Sequence, residues 1–189
     1  SIGSRLHLLQ EMHTAREGLG EGVKHVLEAN LDGVEGLLAD AIEIDTQHAN
    51  MVEAALGSNL QLLVVKDTNT IESVKNTIQA TGPVEVIFPR QVKSEELPEP
   101  PEGTRALMSL IRANSIATEP LRRLLGTTAI ADSISHALRL SHAHRHWRFV
   151  THDGDLVEAD GRIRLASQQG GEQSDGWLAR RIEMGELNR

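Results

Sequence analysis

Apolar positions along the chain change period several times, and each change marks an element. At the start, Ile2, Leu6 and Leu9 recur at a 4,3 spacing that His13 and Arg16 continue with polar side chains. Such spacing lays one stripe along a helix and predicts an a/d seam that fades after two turns. Gly18, Gly20 and Gly22 then interrupt it, since glycine inside a helix costs about 1 kcal/mol relative to alanine. Near the other end, Leu178, Ile182 and Gly185 repeat the 4,3 spacing in a stretch free of proline. Two helical stubs at opposite ends of the sequence suggest a chain that enters and leaves one body at the same place. Two ordinary surface helices would give the same pattern.

Between the stubs the apolar pattern repeats. Shifted by 69 positions, Leu38 meets Leu107, Ile42 meets Ile111, Val52 meets Leu121, Ala55 meets Leu124, Leu56 meets Leu125 and Gly57 meets Gly126. Each copy runs from an apolar segment through a polar stretch into a short amphipathic helix ending in Leu-Gly, where glycine suits a left-handed C-cap. The first copy continues with a strand over Leu60–Val65, then Asp67 and a helix carrying Ile71, Val74 and Ile78. The second continues with the shorter Thr128–Ala131, then Asp132 and a helix carrying Ile134, Ala137 and Leu138. The shared order of elements favours internal duplication.

Other runs complete the outline. Val84–Phe88 alternates as a strand and is closed by Pro89. Val92–Gly103, with Pro98, Pro100, Pro101 and four glutamates, reads as an exposed linker. After the second copy, strands at 148–152, 155–158 and 162–165 are separated by Asp153-Gly154 and Asp160-Gly161. Asp-Gly between strands predicts tight hairpins with positive φ at both turn positions. Residues 168–176 are polar and glycine-rich, a return loop to the final helix.

Composition narrows the chemistry. The 189 residues suffice for a real core, yet aromatics make up only 2%, so that core is aliphatic and platforms for stacking bases or flat cofactors are few. Without cysteine, disulfides, thiol catalysis and thiolate metal sites are excluded. No apolar run approaches a membrane span and no charged-then-apolar leader opens the chain, so neither membrane insertion nor secretion is expected. A formal charge of −8 repels nucleic acid in bulk, leaving only a local basic patch as a contact.

Two clusters offer such local chemistry. His136, His142, His144, His146 and His152 would bring three imidazoles to one face if residues 142–146 were extended, but no carboxylate or Glu-His spacing supports ligation, and a solvated helix end is the simpler account. Arg122, Arg123, Arg139, Arg145 and Arg148, with Arg162 and Arg164 downstream, would form a phosphate-contacting patch if folded together; a solvated helix face explains them equally well. Signatures of catalysis are missing: no phosphate loop, no GxSxG, no HExxH. Gly18-Leu19-Gly20-Glu21-Gly22 lacks the strand and lysine of a nucleotide loop and reads as a flexible joint. No catalytic residue, metal or cofactor is assigned.

Three stretches carry a family resemblance. Gly22–Leu27 followed by Leu31–Leu37 is similar to "GVxxVL" and "GVxGxL"; Val52–Gly57 followed by Leu60–Val65 is similar to "VEAALG…LQxVVV"; Phe149–Val157 is similar to "xVTxDGDxV". Together they span roughly residues 20–165, and the chain resembles the hinge domain of bacterial-type structural maintenance of chromosomes (SMC) proteins. The resemblance implies an α+β fold of two pseudo-symmetric mixed helix and sheet halves, flanked by antiparallel coiled-coil helices, that pairs with a second copy into a ring-like homodimer. It further implies long arms ending in ATP-hydrolysing heads absent from this chain, accessory subunits on the full-length protein, and a cytoplasmic, nucleoid-associated role in chromosome condensation and segregation. One departure stands out: the family's "G-x-x-T-G-G" strand keeps Gly161 here, but Leu165-Ala166 replace the paired glycines and Gly170-Gly171 come later.

The expected organisation is a stub over 1–19, a first half over 20–97, a linker over 98–103, a second half over 104–172 and a closing stub over 173–189. The expected interface sets Val84, Val86 and Phe88 of one chain against Gly161, Ile163 and Leu165 of another, with backbone pairing giving geometry and apolar side chains affinity. Weak DNA contact through the arginines is compatible with that role; the alternative is a nucleic-acid-binding module acting through the Arg/His cluster.

Overall fold

Short strands buried on both faces organise the molecule, and their alternation sorts side chains between separate cores. A computed structural model describes residues 3–7, 18–92, 96–167 and 176–187. Ile2, Leu9, His13, Arg16 and Gly170-Gly171 lie outside the described residues, and residues 3–7 form a helical turn. In the first lobe β3 (Leu63–Val65) pairs antiparallel with β1 (Val34–Leu37) and parallel with β4 (Val86–Ile87). Successive side chains point to opposite faces of a sheet. Leu63 and Val86 therefore join Leu37 beneath α1 (Glu21–Ala29) and α3 (Ile71–Thr77), while Val64 and Ile87 face inward.

The second lobe follows the same plan. There β7 (Thr128–Ala131) pairs antiparallel with β5 (Arg105–Ala106) and parallel with β8 (Arg148–Thr151). Ala129, Ala131 and Phe149 pack outward against α5 (Ile134–Ala143), and Ile130 and Val150 turn inward. This lobe then adds β9 (Leu156–Val157) and β10 (Ile163–Arg164), giving a five-stranded sheet in the order β10-β9-β8-β7-β5. Burial on both faces is why these strands read as continuous apolar runs.

Between the sheets lies a single inner core that neither lobe completes alone. It is filled by α2 (Ala49–Leu56) from the first copy and α4 (Ser115–Leu125) from the second, through Met51, Val52, Leu56, Leu121 and Leu125. The two copies meet at β2 (Ile42–Glu43) and β6 (Arg112–Ala113), an antiparallel pair in which Glu43 lies opposite Arg112. Those two residues are equivalent under the sequence repeat, so the pair marks a pseudo-two-fold axis.

Helix α6 (Trp177–Leu187) returns to this body. Leu178 is fully buried in the inner core and Ile182 packs on it, so this seam is spent on the first lobe over its first turns. Arg181 binds both carboxylate oxygens of Asp40, at 2.8 and 2.7 Å, and stacks over the Trp177 ring at 5.1 Å. At the other end Gln61 bridges the Gly18 carbonyl (2.8 Å) and the Gly20 amide (3.1 Å). A Cβ at Gly18 would lie 3.1 Å from the Trp177 indole nitrogen. The chain thus enters and leaves side by side.

Several local expectations are corrected. Leu60 belongs to a 3-10 turn over Gly57–Gln61, and the strands at 63–65 and 86–87 are shorter than the apolar runs that flagged them. Gly126 has φ −61°, not left-handed; a Cβ there would come within 3.0 Å of Leu97, so glycine lets the linker approach α4. Both Asp-Gly hairpins are three-residue loops. The Gly154 amide donates to Thr151 and the Thr151 amide to Asp155, with the same pair of bonds at Gly161 and Glu158. Only the glycines have positive φ, +90° and +89°, the bonding of a type I turn closed by a glycine bulge. Gly22 is no flexible joint: it opens α1 with its Cα packed on the Gly82 carbonyl, which a Cβ would approach to 2.2 Å.

Candidate dimerisation surface

Four strands end the two larger sheets, and they end differently. β1 and β5 present exposed Glu35 and Arg105, the charged blunting that keeps sheet edges from pairing. β10 instead exposes Ile163 (49%), followed by Leu165 (67%). Ile163 sits opposite buried Val157, which sits opposite Phe149, so an apolar row crosses the sheet and runs out into solvent at its edge. Two devices hold β10 in place: the Gly161 turn and the Asp155 carboxylate, which accepts the Ala166 amide at 2.8 Å. The replacement of glycine by Leu165 thus puts an exposed apolar side chain beside that edge.

Backbone direction follows from two bonds. The Leu63 amide donates to the Glu85 carbonyl at 3.0 Å, so Glu85 and Ile87 aim at β3 while Val84, Val86 and Phe88 aim away. The Glu158 amide donates to the Arg162 carbonyl at 2.8 Å, so Arg162 and Arg164 aim at β9 while Ile163 and Leu165 aim away; the Gly161 amide is spent inside the turn on the Glu158 carbonyl. Among the described residues no strand pairs with the outer edge of β4 or β10. Of the six residues singled out in the sequence, Val84, Val86, Phe88, Ile163 and Leu165 therefore turn backbone groups to the two bare edges, and Gly161 closes the turn into β10.

The arginines do not form one patch. Arg148 is half-buried and engaged, with its guanidinium on both oxygens of Glu158 (2.8 and 2.9 Å), on the Thr128 hydroxyl and on the Ala55 carbonyl at 2.6 Å. Ala55 lies in the last turn of α2, where unpaired carbonyls favour a cation. Arg148 is an inter-lobe fastener, which corrects its reading as a phosphate contact. Arg123 is held by Glu119, and exposed Arg162 by Asp160 at 2.8 Å. The Asp160 carboxyl is held below the usual range by the Arg162 amide and guanidinium. Arg122 lies on α4, facing the inner side of the five-stranded sheet, whereas Arg139 and Arg145 lie on and just after α5 on its outer side.

The histidines are likewise dispersed. Residues 142–146 are not extended: His142 lies in the last turn of α5 and His144 caps it, while His136 Nδ1 accepts the Asp132 amide at 3.1 Å. Among the described residues no group of three or more His, Asp or Glu could hold a metal ion, and no helix is long and apolar enough to cross a membrane.

One ion pair, of which the sequence singled out only Arg123, borders β4. Glu119 on α4 accepts from Arg123 at 2.6 Å and from the Arg90 amide at 2.9 Å, while Arg123 also donates to the Phe88 carbonyl. Burial raises the Glu119 pKa, but hydrogen bonds and the charges of Arg123 and Arg90 outweigh it, and the carboxyl titrates below its ordinary 4.5. The Glu-x-x-x-Arg spacing on a helical stretch was the available signal.

Comparison with known proteins gives the family of the chain. The family model described as "SMC proteins Flexible Hinge Domain" matches residues 31–141.

The chain belongs to the SMC hinge family.

The chromosome partition protein Smc of Lactiplantibacillus plantarum is 31% identical over 85% of this chain, and that of Rhodopirellula baltica 32% identical over 97%. The chain spans only 15% and 16% of those two proteins. Its fold matches the Geobacillus stearothermophilus SMC hinge domain, solved as an asymmetric dimer, at a TM-score of 0.72 and 22% identity, covering 98% of this chain and 82% of that one. The Pyrococcus furiosus SMC hinge domain matches at a TM-score of 0.64 and 21% identity, covering 84% and 86%. The family match stops within α5, so the β8–β10 region of this hinge, with its exposed edge, is read from its own residues.

Proposed function

We propose that this chain is the homodimerisation hinge of a chromosome-partitioning SMC protein. The observation that carries the reading is the pair of bare edges, one of them flanked by exposed Ile163 and Leu165. Setting β4 of one chain against β10 of its partner joins a three-stranded and a five-stranded sheet into one of eight strands. The same contact recurs with the chains exchanged, so a two-fold pairing closes and leaves neither edge open. The adjacency of Gly18 and Trp177 supports two arms that depart together from each half of the dimer. On this reading the hinge carries no cofactor and no catalytic group; ATP hydrolysis, accessory subunits and the chromosome itself belong to the rest of a cytoplasmic protein.

Sedimentation equilibrium at micromolar concentration is expected to give twice the 20.7 kDa chain mass. Ile163→Asp places a charge in the proposed seam and should yield a folded monomer, judged by unchanged far-UV circular dichroism. A parent chain that stays monomeric, or an Ile163→Asp variant that pairs as well as the parent, would overturn the proposal.

A further inference from the structure

Glu119 and Arg123 do something that sheet pairing alone does not require. Both sit on α4 of the second lobe, yet their bonds end on the segment that directly follows β4, the edge strand of the first. Arg123 donates to the Phe88 carbonyl and Glu119 accepts the Arg90 amide at 2.9 Å. By the alternation set at Glu85, Phe88 directs its carbonyl away from β3, toward the side that Val84 and Val86 also face. The α4 pair therefore occupies the last hydrogen-bonding position of the edge that a partner strand would use. The open edge is thereby reduced to Val84 and Val86.

The other lobe makes the same kind of contact with a different consequence. Arg148 of β8, the counterpart of β4, binds the Ala55 carbonyl of α2, the counterpart of α4. There the outer side of the strand is already covered by β9. Only in the first lobe does the helix–strand fastening border a bare edge. A slip of one residue between paired strands turns every side chain to the other face, and would set the wrong face of β4 against the apolar row that Ile163 ends.

We infer that Glu119 and Arg123 are positioning residues for dimerisation, a stop at the end of β4 that fixes the register at which the partner's β10 docks. The inference rests on the β4–β10 pairing proposed above.

The test compares Arg123→Met, Arg123→Lys and Ile163→Asp in the full chain by sedimentation equilibrium. Arg123→Met should weaken the dimer about tenfold, the scale of one charge-assisted hydrogen bond. Arg123→Lys, whose ammonium still reaches a carbonyl, should recover most of that loss. Because the chain has no cysteine, register is readable directly: Val86→Cys is combined with Ile163→Cys or with Leu165→Cys, and disulfide formation is followed in each pair. One pair should dominate in the parent background, and Arg123→Met should even them out. Parent-like affinity with a single dominant pair in Arg123→Met, while Ile163→Asp is monomeric, removes the stop and leaves the interface standing. A fully dimeric Ile163→Asp removes both. If Arg123→Met lowers the unfolding midpoint of the monomeric Ile163→Asp chain in proportion to its effect on the dimer, the pair is merely structural and the inference falls.

Discussion

At the scale of single residues, the charges that matter are those with backbone partners across the lobes. Arg148 satisfies Glu158 with two bonds and spends a third on the carbonyl of Ala55, 93 residues away in sequence. Removing it leaves a half-buried carboxylate and a helix-end carbonyl without their donor, the costly kind of loss. Arg148→Met is expected to destabilise the fold by about 2 to 3 kcal/mol in urea titration. Arg148→Lys should recover only part of this, because an ammonium cannot match the planar fork. A free surface arginine would show neither effect. None of this was legible from Arg148 in the sequence, where it looked like one of several basic residues near a helix end. Partners 10 and 93 positions away leave no local signature.

At the scale of elements, α6 shows how one pattern serves two purposes. Its 4,3 spacing reads as a coiled-coil seam, and a coiled coil and a docked amphipathic helix use the same stripe. Here the first turn of the stripe is buried in the inner core, with Leu178 inaccessible and Leu187 85% exposed nine residues on. Leu178→Ala should therefore cost about 2 to 5 kcal/mol through the cavity it leaves. Leu187→Ala should stay within about 0.5 kcal/mol. Chemical denaturation of the two variants separates a docked helix from one that merely leaves the body. Helices such as α2, α4 and α5 were legible from their apolar spacing. The strand limits were not, since burial on both faces erases the alternation that would mark where pairing begins and ends.

At the scale of the whole molecule, the two lobes are not independent bodies, because α2 and α4 fill one inner core between the sheets. Heating or denaturant should then produce a single cooperative transition with coincident fluorescence and far-UV signals. Fragments over residues 20–97 and 104–172, the halves suggested by the repeat, each carry only part of that core and should fail to fold alone. A fragment over 20–97 that melts cooperatively by itself would show two separable domains instead. The shared core also gives the bare edges a rigid mounting, since β4 is fastened to α4 and β8, which carries β9 and β10, to α2.

The order of elements, the duplication and the proline-rich strap were set by local pattern, for apolar period, proline and glycine act over a few neighbouring positions. The hinge resemblance, too, lay in contiguous motifs. Which edges stay open was decided only by tertiary structure: it depends on β9 and β10 being added beyond β8 while, among the described residues, no strand is added beyond β4. So did the fate of the arginines, whose roles depend on carbonyls and carboxylates that folding brings to them. Short-range sterics and hydrophobic period are written in adjacent residues, whereas hydrogen-bond satisfaction across a fold is a property of who meets whom.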